Sequence, residues 1–126
     1  MATKFFKCET CGNIVVKLED SGVIPVCCGD EMTELESAST DGKHEYHVPV
    51  VDLTDETCIM VSIGAQPHPM SAEHYIQFIC LETENGIQVQ YLKPGMQPVA
   101  FFCRCNDKMI AVYAYCNRHG LWKTEI

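Results

Sequence analysis

Apolar residues in this chain come in short runs broken by turn signals, and no stretch holds a 3.6-residue period. From residue 48 onward seven runs follow one another, at 48–53, 58–63, 75–82, 87–91, 99–104, 109–115 and 121–123. The breaks carry the residues that turns need. Glu84-Asn85-Gly86 is a type I′ hairpin signal, and Gly64, Pro67, Pro69, Lys93-Pro94-Gly95 and Asn106-Asp107 interrupt the other runs. Ile87-Gln88-Val89-Gln90-Tyr91 alternates strictly, so one face of that strand is buried and the other wet. Short strands at this spacing predict a seven-stranded antiparallel β-sandwich over residues 44–126.

The first 36 residues predict a different unit. Cys11-Gly12-Asn13 reads as a tight knuckle turn, Ile14 to Leu18 as a strand, and Asp20-Ser21-Gly22 as a second turn leading into Cys27-Cys28-Gly29. A piece this small cannot bury enough apolar surface to hold itself, and a metal staple is the usual remedy. Residues 37–43 are small and polar and read as a linker between the two units.

Composition narrows the function. The chain has 126 residues, is 47% hydrophobic, and carries a formal charge of −8 from 17 acidic and 9 basic side chains. The hydrophobic content excludes a disordered chain. The acidic balance argues against nucleic acid and against an anionic membrane surface, both of which need clustered Lys and Arg. No apolar run reaches the length of a signal sequence or a membrane span, so the expected location is the cytoplasm. Thiols stay reduced there, and an odd count of nine cysteines suits metal binding better than a disulfide framework.

Two groups of residues have the donors for metals. Cys8-x2-Cys11 followed by Cys27-Cys28 supplies four thiolates, a set that accepts zinc or iron alike. The second pair is adjacent, which turns its side chains apart and strains a tetrahedral site. At the other end, Cys116-x2-His119 follows a strand, and His47, His68 and His74 also lie at predicted strand ends. Four imidazoles and one thiolate exceed a structural zinc site and suggest five-coordinate iron with one position open.

These motifs resemble desulfoferrodoxin, the two-iron superoxide reductase family, over the whole chain. The resemblance is carried by Cys8-Glu9-Thr10-Cys11-Gly12-Asn13, Cys27-Cys28, Glu45-Tyr46-His47-Val48-Pro49-Val50, His68-Pro69-Met70, His74-Tyr75-Ile76, Leu92-Lys93-Pro94-Gly95, and Ala114-Tyr115-Cys116-Asn117 with His119-Gly120. It implies a mainly β protein, with a desulforedoxin-like four-cysteine iron domain at 1–36 and an immunoglobulin-like catalytic sandwich at 44–126. It implies two irons per chain, one on Cys8, Cys11, Cys27 and Cys28, where zinc is an alternative. The other would sit on equatorial His47, His68, His74 and His119 with Cys116 as axial thiolate. Glu45 matches the family glutamate that can take the sixth position of the oxidised iron. Further implications are superoxide as substrate, reduced to hydrogen peroxide, a rubredoxin-like electron donor, and a homodimer.

One position departs from the family. The lysine that usually precedes this histidine, and that attracts superoxide, is Tyr46 here. A phenol carries no positive charge. Tyr46 therefore stands as a catalytic position whose missing charge Lys43 or Arg118 could supply. Three other readings compete: an electron carrier, a zinc-stabilised interaction module, and a dismutase. Cys58, Cys80, Cys103 and Cys105 read as small hydrophobes within strands, and Trp122 and Phe101-Phe102 as core or interface.

Overall fold

The computed structural model describes residues 2–40 and 46–126. Among them every regular element is a β-strand, and no helix is long and apolar enough to cross a membrane. The chain divides into two units, Met1–Glu36 and Ser37–Ile126.

In the first unit β1 (Phe5–Lys7) is the centre of a small antiparallel sheet, flanked by β2 (Ile14–Val16) and β5 (Thr33–Glu34). A two-residue hairpin, β3 (Val26–Cys27) and β4 (Asp30–Glu31), carries the second cysteine pair. Among the described residues of this unit the buried apolar side chains are Phe5, Phe6, Cys8 and Met32. Asp20 adds a polar anchor. It pairs with Lys4 at 3.0 Å and Lys17 at 2.7 Å and accepts the Gly22 N–H at 2.9 Å. These contacts, the Lys17 hydrogen bond first, hold its carboxyl well below the usual carboxylate range.

The second unit is a sandwich of two sheets. The smaller runs in the order β11 (Val99–Cys103), β8 (Cys58–Ile63), β7 (Pro49–Asp52). The larger runs β10 (Gly86–Tyr91), β9 (Ile76–Thr83), β12 (Met109–Cys116), β13 (Gly120–Glu125), β6 (Ser37–Ala38). Alternation places Ile59, Val61 and Ile63 of β8 inward, facing Ile79 and Leu81 of β9 and Val112 and Ala114 of β12. The seven strands expected from the apolar runs are all present within two residues of their predicted limits.

Two features depart from the sequence reading. Ser37 and Ala38, read as the start of the linker, pair in parallel with Leu121 and Trp122, so the sandwich carries an eighth strand and is not wholly antiparallel. The other concerns cysteine. Cys80 is buried, but Cys103 and Cys105 are exposed, Cys58 is half-buried, and Cys105 lies beyond the end of β11. Phe102 is core, whereas Phe101 points out and is 61% exposed.

Candidate metal centres

The four-cysteine group is assembled by two turns. Cys8 opens the first: the Cys8 N–H donates to Asn13 O at 2.8 Å, the Gly12 N–H to Cys8 O at 2.9 Å, and the Cys11 N–H to the Cys8 sulfur at 3.5 Å. The second turn resolves the difficulty of adjacent cysteines. Cys28 takes a left-handed backbone, φ 53°, which swings its side chain round to the same side as Cys27. All four sulfurs then lie within 4.8 Å of one another. Cys11 and Cys27 are 3.6 Å apart, Cys27 and Cys28 4.0 Å. Four thiolates at about 2.3 Å from one ion have sulfur–sulfur edges of about 3.8 Å, so this set fits a tetrahedral metal. The Cys11 N–H pulls the Cys8 thiol down to about 6, while hydrogen bonds shared with Cys11 and Cys8 push Cys28 up to about 12. Protons are crowded among sulfurs here, and a bound cation would displace them.

The second group sits where strands of both sheets end. His47 precedes β7, His68 and His74 lie between β8 and β9, Cys116 is the last residue of β12, and His119 turns the chain into β13. The four imidazoles close into a ring. Neighbouring centroids are 4.7 Å apart for His47–His68, 4.9 Å for His68–His74, 5.1 Å for His74–His119 and 4.9 Å for His119–His47. Four imidazoles bound at about 2.1 Å around one ion would have adjacent centroids about 4.5 Å apart, so the ring is slightly wider than a loaded site. His47 Nε2 and His119 Nδ1 are 3.2 Å apart, close to the roughly 3.0 Å expected of two nitrogens at right angles on one metal. The fully buried Cys116 places its sulfur 3.9 Å from His119 Nδ1. His47, His74, Cys116 and His119 form the tightest cluster of donor atoms, and His68 completes the ring beside them.

Neighbouring groups fix the orientation of these imidazoles. His68 Nδ1 lies 2.7 Å from Pro69 O; a carbonyl only accepts, so Nδ1 holds the hydrogen and Nε2 carries the lone pair. Asn117 ties the loops bearing His74 and His119 together, accepting the Tyr75 N–H at 2.9 Å and donating to Glu73 O at 2.9 Å. Ser71 and His74 exchange backbone hydrogen bonds at 2.9 and 3.2 Å.

Two further residues escaped the sequence reading. Trp122, expected to be core or interface, stacks on His47 at 4.4 Å and 8°, and its indole N–H donates to His119 O at 3.2 Å. Gly64, at φ 85°, lies where a Cβ would come within 2.5 Å of both Tyr46 O and Gln66 O. That close approach sets the segment bearing His47, and the Gly64 N–H also donates to Val48 O at 3.2 Å. Neither feature has a motif, because both act through space.

Tyr46, which precedes His47, is 43% exposed, and Arg118 is exposed between Cys116 and His119. Glu45, Lys43 and His44 lie outside the described residues.

Comparison with known proteins places both groups in context. Residues 39–125 match the desulfoferrodoxin family, and residues 2–35 match the desulfoferrodoxin N-terminal domain. The chain is 41% identical to desulfoferrodoxin of Nitratidesulfovibrio vulgaris, with 97% of this chain and 95% of that one covered. It is 33% identical to superoxide reductase of Pyrococcus furiosus, over 70% of this chain and 92% of that one. The crystal structure of superoxide reductase from Treponema pallidum superposes with a TM-score of 0.85 at 27% identity, covering 98% of each chain.

Proposed function

We propose that this chain, which belongs to the desulfoferrodoxin family, is a superoxide reductase that turns superoxide into hydrogen peroxide. The observation that carries the reading is the closed ring of four imidazoles next to one buried thiolate. A purely structural zinc needs four ligands, and this site offers five donors. Iron held by His47, His68, His74, His119 and Cys116 would supply the single electron that superoxide takes.

The chain's own residues do the rest. Neutral imidazoles with a single thiolate would leave a divalent cation a net positive charge, which would draw in an anion despite the acidic surface. Cys116 is the one anionic donor, and its burial keeps water from that sulfur. Trp122 holds His47 by stacking and His119 by its N–H, which keeps two of the four rings in place. Tyr46 sits at an exposed position and supplies no cation, so Arg118 is the described basic group closest in sequence to the ligands. Glu45 is assigned the role of a carboxylate that binds the oxidised centre after peroxide has left.

The four-cysteine group would hold a second iron, with zinc as the alternative occupant, and would act as a relay at most. The electron would come from a small rubredoxin-like carrier in the cytoplasm. Leu18, Val23, Ile24 and Val26 of the first unit are exposed apolar side chains, which favours a homodimer that covers them.

The test is the stoichiometry of the reaction. Anaerobically reduced protein given pulses of superoxide should yield one peroxide per superoxide and no oxygen. Half that yield, with oxygen released, would make it a dismutase, and no superoxide consumption would leave an electron carrier. Cys116→Ser should remove the thiolate-to-metal absorption band and nearly all of the activity, while the four-cysteine spectrum stays.

A further inference from the structure

Three thiols gather at the end of the sandwich remote from the histidine ring. Cys58 and Cys103 face one another across the β8–β11 pairing. Cys105 and Asn106 then adopt left-handed backbones, φ 51° and 52°. That turn folds Cys105 back until its sulfur is 2.7 Å from the Cys103 sulfur, about 0.7 Å longer than a disulfide bond. Both residues are exposed. Cys80 differs in kind, since burial pushes its thiol up to about 12 and makes it inert. The six residues of β8 separate Cys58 from the Gly64 turn by roughly 20 Å, so these thiols are no part of the metal centre. The donor clusters among the described residues that could hold a metal do not include them.

We propose that Cys103 and Cys105 are a second redox site, a reversible dithiol–disulfide couple whose oxidant is hydrogen peroxide. With the two sulfurs 2.7 Å apart, either can attack and the other resolve, here with Cys103 attacking. The Cys103 sulfur attacks one peroxide oxygen; the O–O bond breaks, hydroxide leaves, and Cys103 becomes a sulfenic acid. The Cys105 sulfur then attacks the Cys103 sulfur. The S–S bond forms, the S–O bond breaks, and the departing hydroxide takes a proton to become water. In sum two thiols and one peroxide give one disulfide and two waters, with two electrons passing from sulfur to oxygen. A small thiol reductant reverses the change by exchange. Peroxide from the proposed superoxide reduction is one source, and the couple does not require it.

The experiment treats the full-length reduced protein with stoichiometric hydrogen peroxide, blocks free thiols, and digests with trypsin. Cleavage after Lys43, Arg104 and Lys108, with Lys93 protected by Pro94, separates residues 44–104 from 105–108. The expected result is that 105–108 is recovered joined to 44–104 and released by a thiol reductant. Cys105→Ser and Cys103→Ser should each abolish the joined species, and Cys58→Ser should leave it. Recovery of 105–108 with a blocked free thiol overturns the proposal, as does a joined species that survives Cys103→Ser. So does irreversible oxidation of both sulfurs without linkage. The Cys103→Ser/Cys105→Ser variant should reduce superoxide within about two-fold of the wild-type rate. Because peroxide is added directly, linkage in a protein that fails to reduce superoxide would sink the functional reading and leave this one standing.

Discussion

Replacing Gly64 by alanine tests whether a single close approach sets the histidine ring. The new Cβ meets two obstacles. At φ 85° a side chain costs about 1–2 kcal/mol in backbone strain. The Cβ would also lie 2.5 Å from Tyr46 O and Gln66 O, so both carbonyls must retreat by at least half an ångström, an overpacking cost of about 1–3 kcal/mol. The sum is about 2–5 kcal/mol. Gly95 separates the two costs, because it has φ 88° but a Cβ there would meet nothing within 4 Å. Gly95→Ala should therefore cost only the backbone share, about 1–2 kcal/mol. Trp122 is the single tryptophan and lies in the sandwich, so its fluorescence during denaturant unfolding reports this unit alone. The displaced carbonyls belong to Tyr46, next to His47, and Gln66, two residues before His68. Metal sites tolerate ligand shifts of only about 0.2 Å. Gly64→Ala should thus lose metal from the histidine site while the four-cysteine site stays loaded. The reasoning fails if Gly64→Ala unfolds at the same denaturant concentration as Gly95→Ala and keeps its full complement of metal.

Other changes read other contacts. Trp122→Phe keeps a ring against His47 but removes the N–H to His119 O, and should weaken metal retention about 10–100-fold in competition with a chelator; unchanged retention would assign the indole to packing alone. Tyr46→Lys adds a cation that at about 10 Å in water attracts superoxide by about 0.4 kcal/mol, a roughly two-fold faster encounter at low salt in pulse radiolysis. An unchanged rate would mean that side-chain steering is not limiting. The Asp20 carboxyl is held below its unfolded value, so its stabilisation is full above about pH 4 and fades as pH falls through the lower folded value. Asp20→Asn should therefore flatten the acid limb of the first unit's stability curve, and equal limbs in both proteins would dismiss the anchor.

Much of the fold is legible because alternation and turn residues speak locally. β8 falls at Cys58–Ile63, where the apolar run predicts it. β6 is not legible: Ser37 and Ala38 have no periodicity, and only their distant partners Leu121 and Trp122 make them a strand. The metal donors stand out by residue type and spacing. What orders them does not, since the Trp122 stack and the Gly64 approach join residues far apart in the chain. Reading Cys103 as buried overlooks its own strand. Ala100 and Phe102 face inward, so Val99, Phe101 and Cys103 must face out. Cys28 shows the reverse case, where spacing points to strain and a left-handed backbone relieves it.

The two donor sets differ in how far apart their members lie along the chain, and this orders the protein's assembly. Cys8 to Cys28 closes within one short segment that has few buried side chains of its own, so there the cation and the fold must arrive together. His47 and His119 are brought within 3.2 Å across 72 positions of sequence, a meeting that only a finished sandwich can arrange. The second cation is therefore a late guest in a room already built, and its removal should empty that room without bringing down the walls. A chelator would then leave a chain with one half unravelled and the other standing, ready to be refilled.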